Sequence, residues 1–162
     1  MKQHNYEIHV EWTGNTGEGT QTYRSYSRDY TIAADGKPQI LGSSDPSFRG
    51  DPSRYNPEDL LVASLSACHM LSYLHLCAVN HVTVLDYRDS ALGLMEENSD
   101  GSAQFTRVTL RPTVTISPGD DLGKAQANAH ALHTKAHHLC FIARSVNFAV
   151  DVAPTITTNA SE

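Results

Sequence analysis

The segment Leu60–Val79, LLVASLSACHMLSYLHLCAV, runs for twenty residues without Asp, Glu, Lys or Arg. So long an uncharged run leaves a chain two options. It crosses a bilayer, or it forms a helix packed on all sides inside a core. Ser64, Ser66, His69, Ser72 and His75 interrupt it and no basic flank orients it, which favours the core helix over a membrane span. Its start is written locally. Asn56 is an N-cap, Pro57 suits the first helical position, and Glu58 and Asp59 place negative charge in the first turn. The predicted helix runs from Pro57 to near Asn80. A sheet covers one side of it, and a second copy of the chain is the simplest cover for the other.

Around that helix the chain alternates between strand and turn signals. Tyr6, Ile8, Val10 and Trp12 alternate with Glu7, His9 and Glu11, the pattern of a half-buried strand. Residues 21–33 read as a second strand, and 34–42 as a hairpin turn into a third. Residues 43–55, with two Asp-Pro steps, read as a loop without regular structure. Residues 82–92 and 104–116 read as two long strands separated by the turn at 96–102. Residues 117–121 introduce a second helix, Leu122 to Leu139, with an apolar face of Leu122, Ala125, Ala129, Leu132, Ala136 and Leu139. A last strand at about 145–152 is followed by a polar tail, 153–162. This order predicts an α+β fold. The 162 residues, 40% hydrophobic and 19% charged, suit a single domain spanning 1–162.

The net charge of −6, with no basic patch interleaved with aromatics, argues against a nucleic-acid partner. The opening MKQHNYEIHVEW lacks the apolar run of a signal peptide, so the expected location is cytoplasmic. Three cysteines do not make a disulfide framework. Cys68 and Cys77 lie about half a turn and roughly 13 Å apart on one helix. They cannot pair, and Cys77 reads as a core filler. Cys68 and Cys140 lie on different elements and could meet. His130, His133, His137 and Cys140 form a stripe on the second helix, but it spans about 15 Å. At most His133 with His137, or His137 with Cys140, could share an ion. No metal site is expected, and the stripe reads as a polar face near water or a dimer seam. His69 points about 100° away from Cys68 and is no built-in base.

Two features together carry a resemblance. Asn56-Pro57-Glu58-Asp59-Leu60 is followed by Cys68, and a second cysteine, Cys140 in HHLCFIARSVNFAV, follows the second helix and precedes the last strand. This arrangement, over nearly the whole chain, resembles the OsmC/Ohr family of osmotically inducible and organic hydroperoxide resistance proteins. Phe141 departs from the Pro that often follows the family's second cysteine. The resemblance implies antiparallel sheets packed around two long central helices in an intertwined homodimer. It also implies a cysteine-based peroxidase without a cofactor, acting on organic hydroperoxides and more weakly on hydrogen peroxide. Cys68 would become a sulfenic acid, Cys140 would condense with it to a disulfide, and a dithiol reductant of lipoyl or thioredoxin type would reopen it. The family's arginine, in the loop before the helix, would activate the thiol in company with Glu58. Arg49 and Arg54 compete for that role, and Arg49 has the closer spacing. Lowering a thiol pKa by two units takes about 2.7 kcal/mol, within reach of one desolvated guanidinium. Glu58 and Cys68 are ten residues apart, about 15 Å along a helix. An Arg–Glu pair acting on Cys68 therefore comes from the other subunit or from a loop folded far back. The alternative is a non-catalytic protein of the same fold that binds a small apolar ligand or a metal ion.

The uncharged helix predicts that light scattering at micromolar concentration reports twice 17.7 kDa. A stable monomer would remove the packing argument.

Overall fold

The structure is a computed structural model that describes residues 2–118 and 121–158. The chain forms two compact units, residues 1–61 and 62–162. Two expectations fall partly outside the described residues: Gly119 and Asp120 of the second helix's lead-in, and 159–162 of the tail.

In the N-terminal unit, strands β1 (His9–Trp12), β2 (Tyr30–Ala33) and β3 (Ile40–Gly42) pair antiparallel in that order. Val10 faces Ile32, and Ile32 faces Ile40. The expected half-buried strand at Tyr6–Trp12 is corrected twice. It is only four residues long, and all four are exposed. The expected strand at 21–33 is also shortened, to Tyr30–Ala33. The reason is Arg28. Its guanidinium lies 4.3 Å from the Tyr23 ring centroid and 4.1 Å from that of Tyr26. It also donates to the carbonyls of both residues. A cation that holds two ring faces and two carbonyls curls the chain instead of extending it.

The loop before the helix is more ordered than its Pro and Gly content suggests. Pro46–Phe48 form a 3-10 turn, with Asp45 accepting from Ser47 N at 2.7 Å. Arg49 follows in the left-handed region at φ 66°, a conformation non-glycine residues hold only when their surroundings impose it. Gly50 supplies that constraint. A Cβ there would sit 1.5 Å from Ser44 O, so only glycine closes the loop. Asn56 caps helix α1 (Pro57–Val79) as expected. Its Oδ1 accepts from Asp59 N at 2.7 Å, and Asp59 Oδ2 accepts from Asn56 N at 3.3 Å.

The C-terminal unit contains most of α1, helix α2 (Leu122–Leu139) and two three-stranded sheets. One sheet has the order β4-β7-β9 (Val84–Asp89, Pro112–Ile116, Thr155–Thr158). The other has β5-β6-β8 (Leu92–Glu97, Ala103–Leu110, Ala149–Val152). In each, the first pair is antiparallel and the second parallel. Each of the two long predicted strands therefore breaks and serves both sheets. The breaks fall at one knot. Pro112 has no N–H to donate, and Asp89 takes the N–H of Arg111 at 2.7 Å while accepting from Ser66 Oγ of α1. The last strand begins later than expected, at Ala149, after a 3-10 turn at Ala143–Ser145. The polar-tail expectation is corrected over Thr155–Thr158, which pair with β7 and place Ile156 against the core.

Helix α1 is long and apolar enough to cross a membrane by length and composition. Within this chain it buries one stripe, Leu65, His69, Tyr73 and Cys77, residues four apart on one face. The expectation of burial on all sides is not met within a single chain, since Leu71 is 63% exposed and Val79 57%. The stripe feeds two cores. Tyr73 and Cys77 pack with Val114, Ile116, Ala129 and Leu132. Leu65 packs with Val108 and Leu110. On α2 the expected stripe is corrected at its ends, because Leu122 and Leu139 are exposed while His133 is buried beside Ala129, Leu132 and Ala136.

Leu65 is fully buried in the smaller core. Leu65→Ala should lower unfolding free energy by about 2–5 kcal/mol, read from urea midpoints at constant m. A loss below about 0.5 kcal/mol would contradict this packing.

Candidate functional site

Two thiols meet in the C-terminal unit. Cys68 is half-buried on α1, three residues past Leu65, and Cys140 ends α2 with only 1% of its surface exposed. At Cys140 the backbone leaves the helix at φ −68°, ψ 106°. The turn needs no proline after it. Ala143 N donates to Cys140 Sγ at 3.4 Å and Arg144 N to Cys140 O at 3.1 Å, while Phe141 in the usual proline position is exposed. Both thiols are free, and Cys68 lies near enough to bear on the ionisation of Cys140. Burial pushes the Cys140 thiol up to about 11. The Ala143 N–H opposes this, and the Cys68 thiol adds to it. Cys77 lies elsewhere, in the larger core against Tyr73, and burial raises its thiol as well. The core placement expected for Cys77 matches the structure.

Arg49 and Glu58 lie in the N-terminal unit. The Arg49 guanidinium stands 5.9 Å from the Tyr23 ring centroid, a long cation–π contact. Glu58 and Asp59 face Tyr30, whose phenol is raised first by burial and then by these carboxylates. Among the described residues, neither Arg49 nor Arg54 forms an ion pair with Glu58. Arg54 instead approaches Asp29 at 3.7 Å and Asp51 at 3.5 Å. It is a half-buried tether, which leaves Arg49 the less committed cation.

The histidines are where sequence reasoning missed most. His133 is buried, 3% exposed, not on a polar face near water, and His69, 0% exposed, lies against it. His69 Nε2 and His133 Nδ1 lie 3.0 Å apart, with ring planes only 9° apart. Tyr73 stacks on His133 at 3.8 Å and 11°, and its hydroxyl donates to Ala129 O. One signal could have shown this. His69 stands four residues from both Leu65 and Tyr73, and His133 follows Leu132 and lies four residues from Ala129, so each falls on a stripe that packs. Burial depresses His69 to about 4, with help from His137 and opposition from Asp89. Burial, then His69 and His130, depresses His133 to about 3.

Two long helices between strand pairs, with a half-buried thiol on one meeting a buried thiol at the end of the other, define a two-cysteine α+β class. The chain belongs to the OsmC-like protein family, whose sequence pattern matches residues 50–155. It is similar to an OsmC-like protein of unknown function from Vibrio cholerae, at 34% identity and a TM-score of 0.81, over 94% of this chain and 99% of that one. It shares its fold with organic hydroperoxide resistance proteins from Legionella pneumophila and Elizabethkingia anophelis. Each is 19% identical, with TM-scores of 0.65 and 0.66, over 96% and 98% of this chain and 99% and 100% of theirs. No curated protein matches.

The two imidazoles set a pH dependence of stability. Their folded pKa values lie below the unfolded value of about 6.5, so below that pH the unfolded chain binds more protons. Stability should be full above about pH 6.5 and fall as pH drops toward 4, by up to about 1.4 kcal/mol per pH unit for each imidazole. Guanidinium midpoints at pH 7.5 and 5 test this. A His69→Gln/His133→Gln protein should show a flatter profile, and an equally steep one would assign the effect elsewhere.

Proposed function

We propose that the protein is a thiol peroxidase that reduces organic hydroperoxides, and more weakly hydrogen peroxide. The observation that carries the proposal is the pairing of thiols from two elements, half-buried Cys68 beside buried Cys140, while Cys77 is held apart in the core. The Cys68 thiolate attacks the distal peroxide oxygen, the O–O bond breaks, and the leaving alkoxide takes a proton to become the alcohol. Cys140, once deprotonated, attacks the sulfenic sulfur. The S–S bond forms, and hydroxide leaves with a proton as water. A dithiol of lipoyl or thioredoxin type then opens the disulfide by exchange and is itself oxidised. Every step uses the chain's own groups and these two co-substrates, without a cofactor. We assign Arg49, with Glu58, to stabilising the thiolate and the departing oxygen. The exposed faces of α1 and β1 suit burial in a homodimer, one OsmC-like domain per chain, and we place the protein in the cytoplasm.

One equivalent of cumene hydroperoxide added anaerobically to reduced protein should take free thiols from three to one and yield a Cys68–Cys140 bond by mass spectrometry. Three surviving thiols would favour a non-catalytic binding protein, and a bond to Cys77 would overturn the assignment of the two cysteines. With the Cys140 thiol held up at about 11, disulfide closure should speed up about tenfold per pH unit between pH 6 and 9 in stopped flow. Arg49→Ala should slow peroxide reduction roughly a hundredfold, about 2.7 kcal/mol, and Arg54→Ala should leave the chemical step near its original rate. Arg49→Gly keeps the left-handed backbone, so an equal loss there ties the effect to the guanidinium. Mixing inactive Cys68→Ser chains with slow Arg49→Ala chains should raise activity if the two groups come from different subunits, because one heterodimer site is then intact.

A further inference from the structure

The thiol chemistry proposed above makes no use of the buried His69–His133 pair, yet the pair leads to a cavity. A cavity of about 310 Å³ lies between α2 and β8, with His130, His133 and His137 on the helix side and Val150, Asp151 and Val152 on the strand side. His133 is 97% buried by its 3% exposure, and its Nε2 has no hydrogen-bond partner among the described residues. His137 Nδ1, also buried and lining the same cavity, has none either. Native proteins pair nearly all such atoms, so these two nitrogens call for a partner that the described chain does not supply.

From this placement we propose a binding site for a divalent transition-metal ion of the zinc or nickel class, anchored by His133 Nε2 with His137 as second ligand. His133 and His137 are four apart on one helix face, the spacing at which two imidazoles reach one ion. The 3.0 Å contact behind His133 completes the arrangement. When His133 Nδ1–H donates to His69 Nε2, the Nε2 lone pair is left for the metal, and Tyr73 stacked at 3.8 Å keeps the ring from turning. Metal-binding histidines are characteristically oriented by such a hydrogen bond on the other nitrogen. Asp151 is tied to Arg107 and is not counted as a ligand. Among the described residues no three His, Cys, Asp or Glu side chains converge into a cage. The site is thus open, with water completing the coordination.

The test separates this site from the thiols, which would also bind zinc. Full-length Cys68→Ser/Cys140→Ser protein, freed of metal with a chelator, is titrated with Zn²⁺ by calorimetry, so the result does not depend on the peroxidase proposal. One equivalent should bind saturably. His133→Gln and His137→Gln should each weaken binding at least about tenfold, and His69→Phe about 10–100-fold through loss of the orienting bond. His138→Gln, one residue beyond, should change nothing. Because His133 is buried, His137→Gln at a half-buried position serves as the variant that keeps the fold, with thermal melting as the check. In ¹⁵N spectra zinc should shift His133 Nε2 and leave His4 unmoved. No saturable binding, or unchanged affinity in His137→Gln, would overturn the proposal.

Discussion

The contact on which the C-terminal unit turns is the stack of Tyr73 on His133, 3.8 Å between ring centroids. It joins α1 to α2. A helix of twenty uncharged residues has no polar face to define its rotation, so hydrophobicity alone leaves its orientation about its own axis open. Polar contacts close that freedom. His69 meets His133, the Tyr73 hydroxyl reaches Ala129 O, and Ser66 binds Asp89. Buried hydrogen bonds add little net stability each, about 1 kcal/mol, but misplacing one costs more than making it gains. They therefore select one rotation of α1, and that rotation decides which of its faces carries Cys68.

The placement of the thiols follows from this interlock. With His69, Tyr73 and Cys77 turned inward, Cys68 is left half-buried at the margin of the stripe. Cys140 reaches it because α2 is registered against α1 through His133, seven residues earlier, and because the chain turns sharply at the helix end under bonds from Ala143 and Arg144. Asp89 extends the same logic to the sheets. One carboxylate accepts from Ser66 on α1 and from the backbone at Arg111, so the point where both long strands break is tied to the helix that carries the candidate nucleophile.

The N-terminal unit shows a different economy. Arg28 is consumed in holding its own loop between Tyr23 and Tyr26, and Arg54 in bridging Asp29 and Asp51. Arg49 alone of these three sits in a left-handed turn enforced by the lack of room for any side chain at Gly50.

Local chemistry determined much of this protein. The cap at Asn56, the two helices, the α+β order and the core placement of Cys77 were all legible, because each rests on spacing and residue type within one element or on the order of neighbouring elements. What the sequence could not convey depends on partners far along the chain. The long strands break because Asp89 finds Arg111 and Pro112 removes a donor. The presumed tail becomes a strand because β7 has a free edge for Thr155–Thr158. Residues 21–29 curl because Arg28 finds two rings. His133, polar by type and hence expected near water, is buried where one of its ring nitrogens meets His69 across 64 positions of sequence. A polar side chain's preference for water yields whenever the fold supplies a partner, and only the tertiary structure decides where that partner lies.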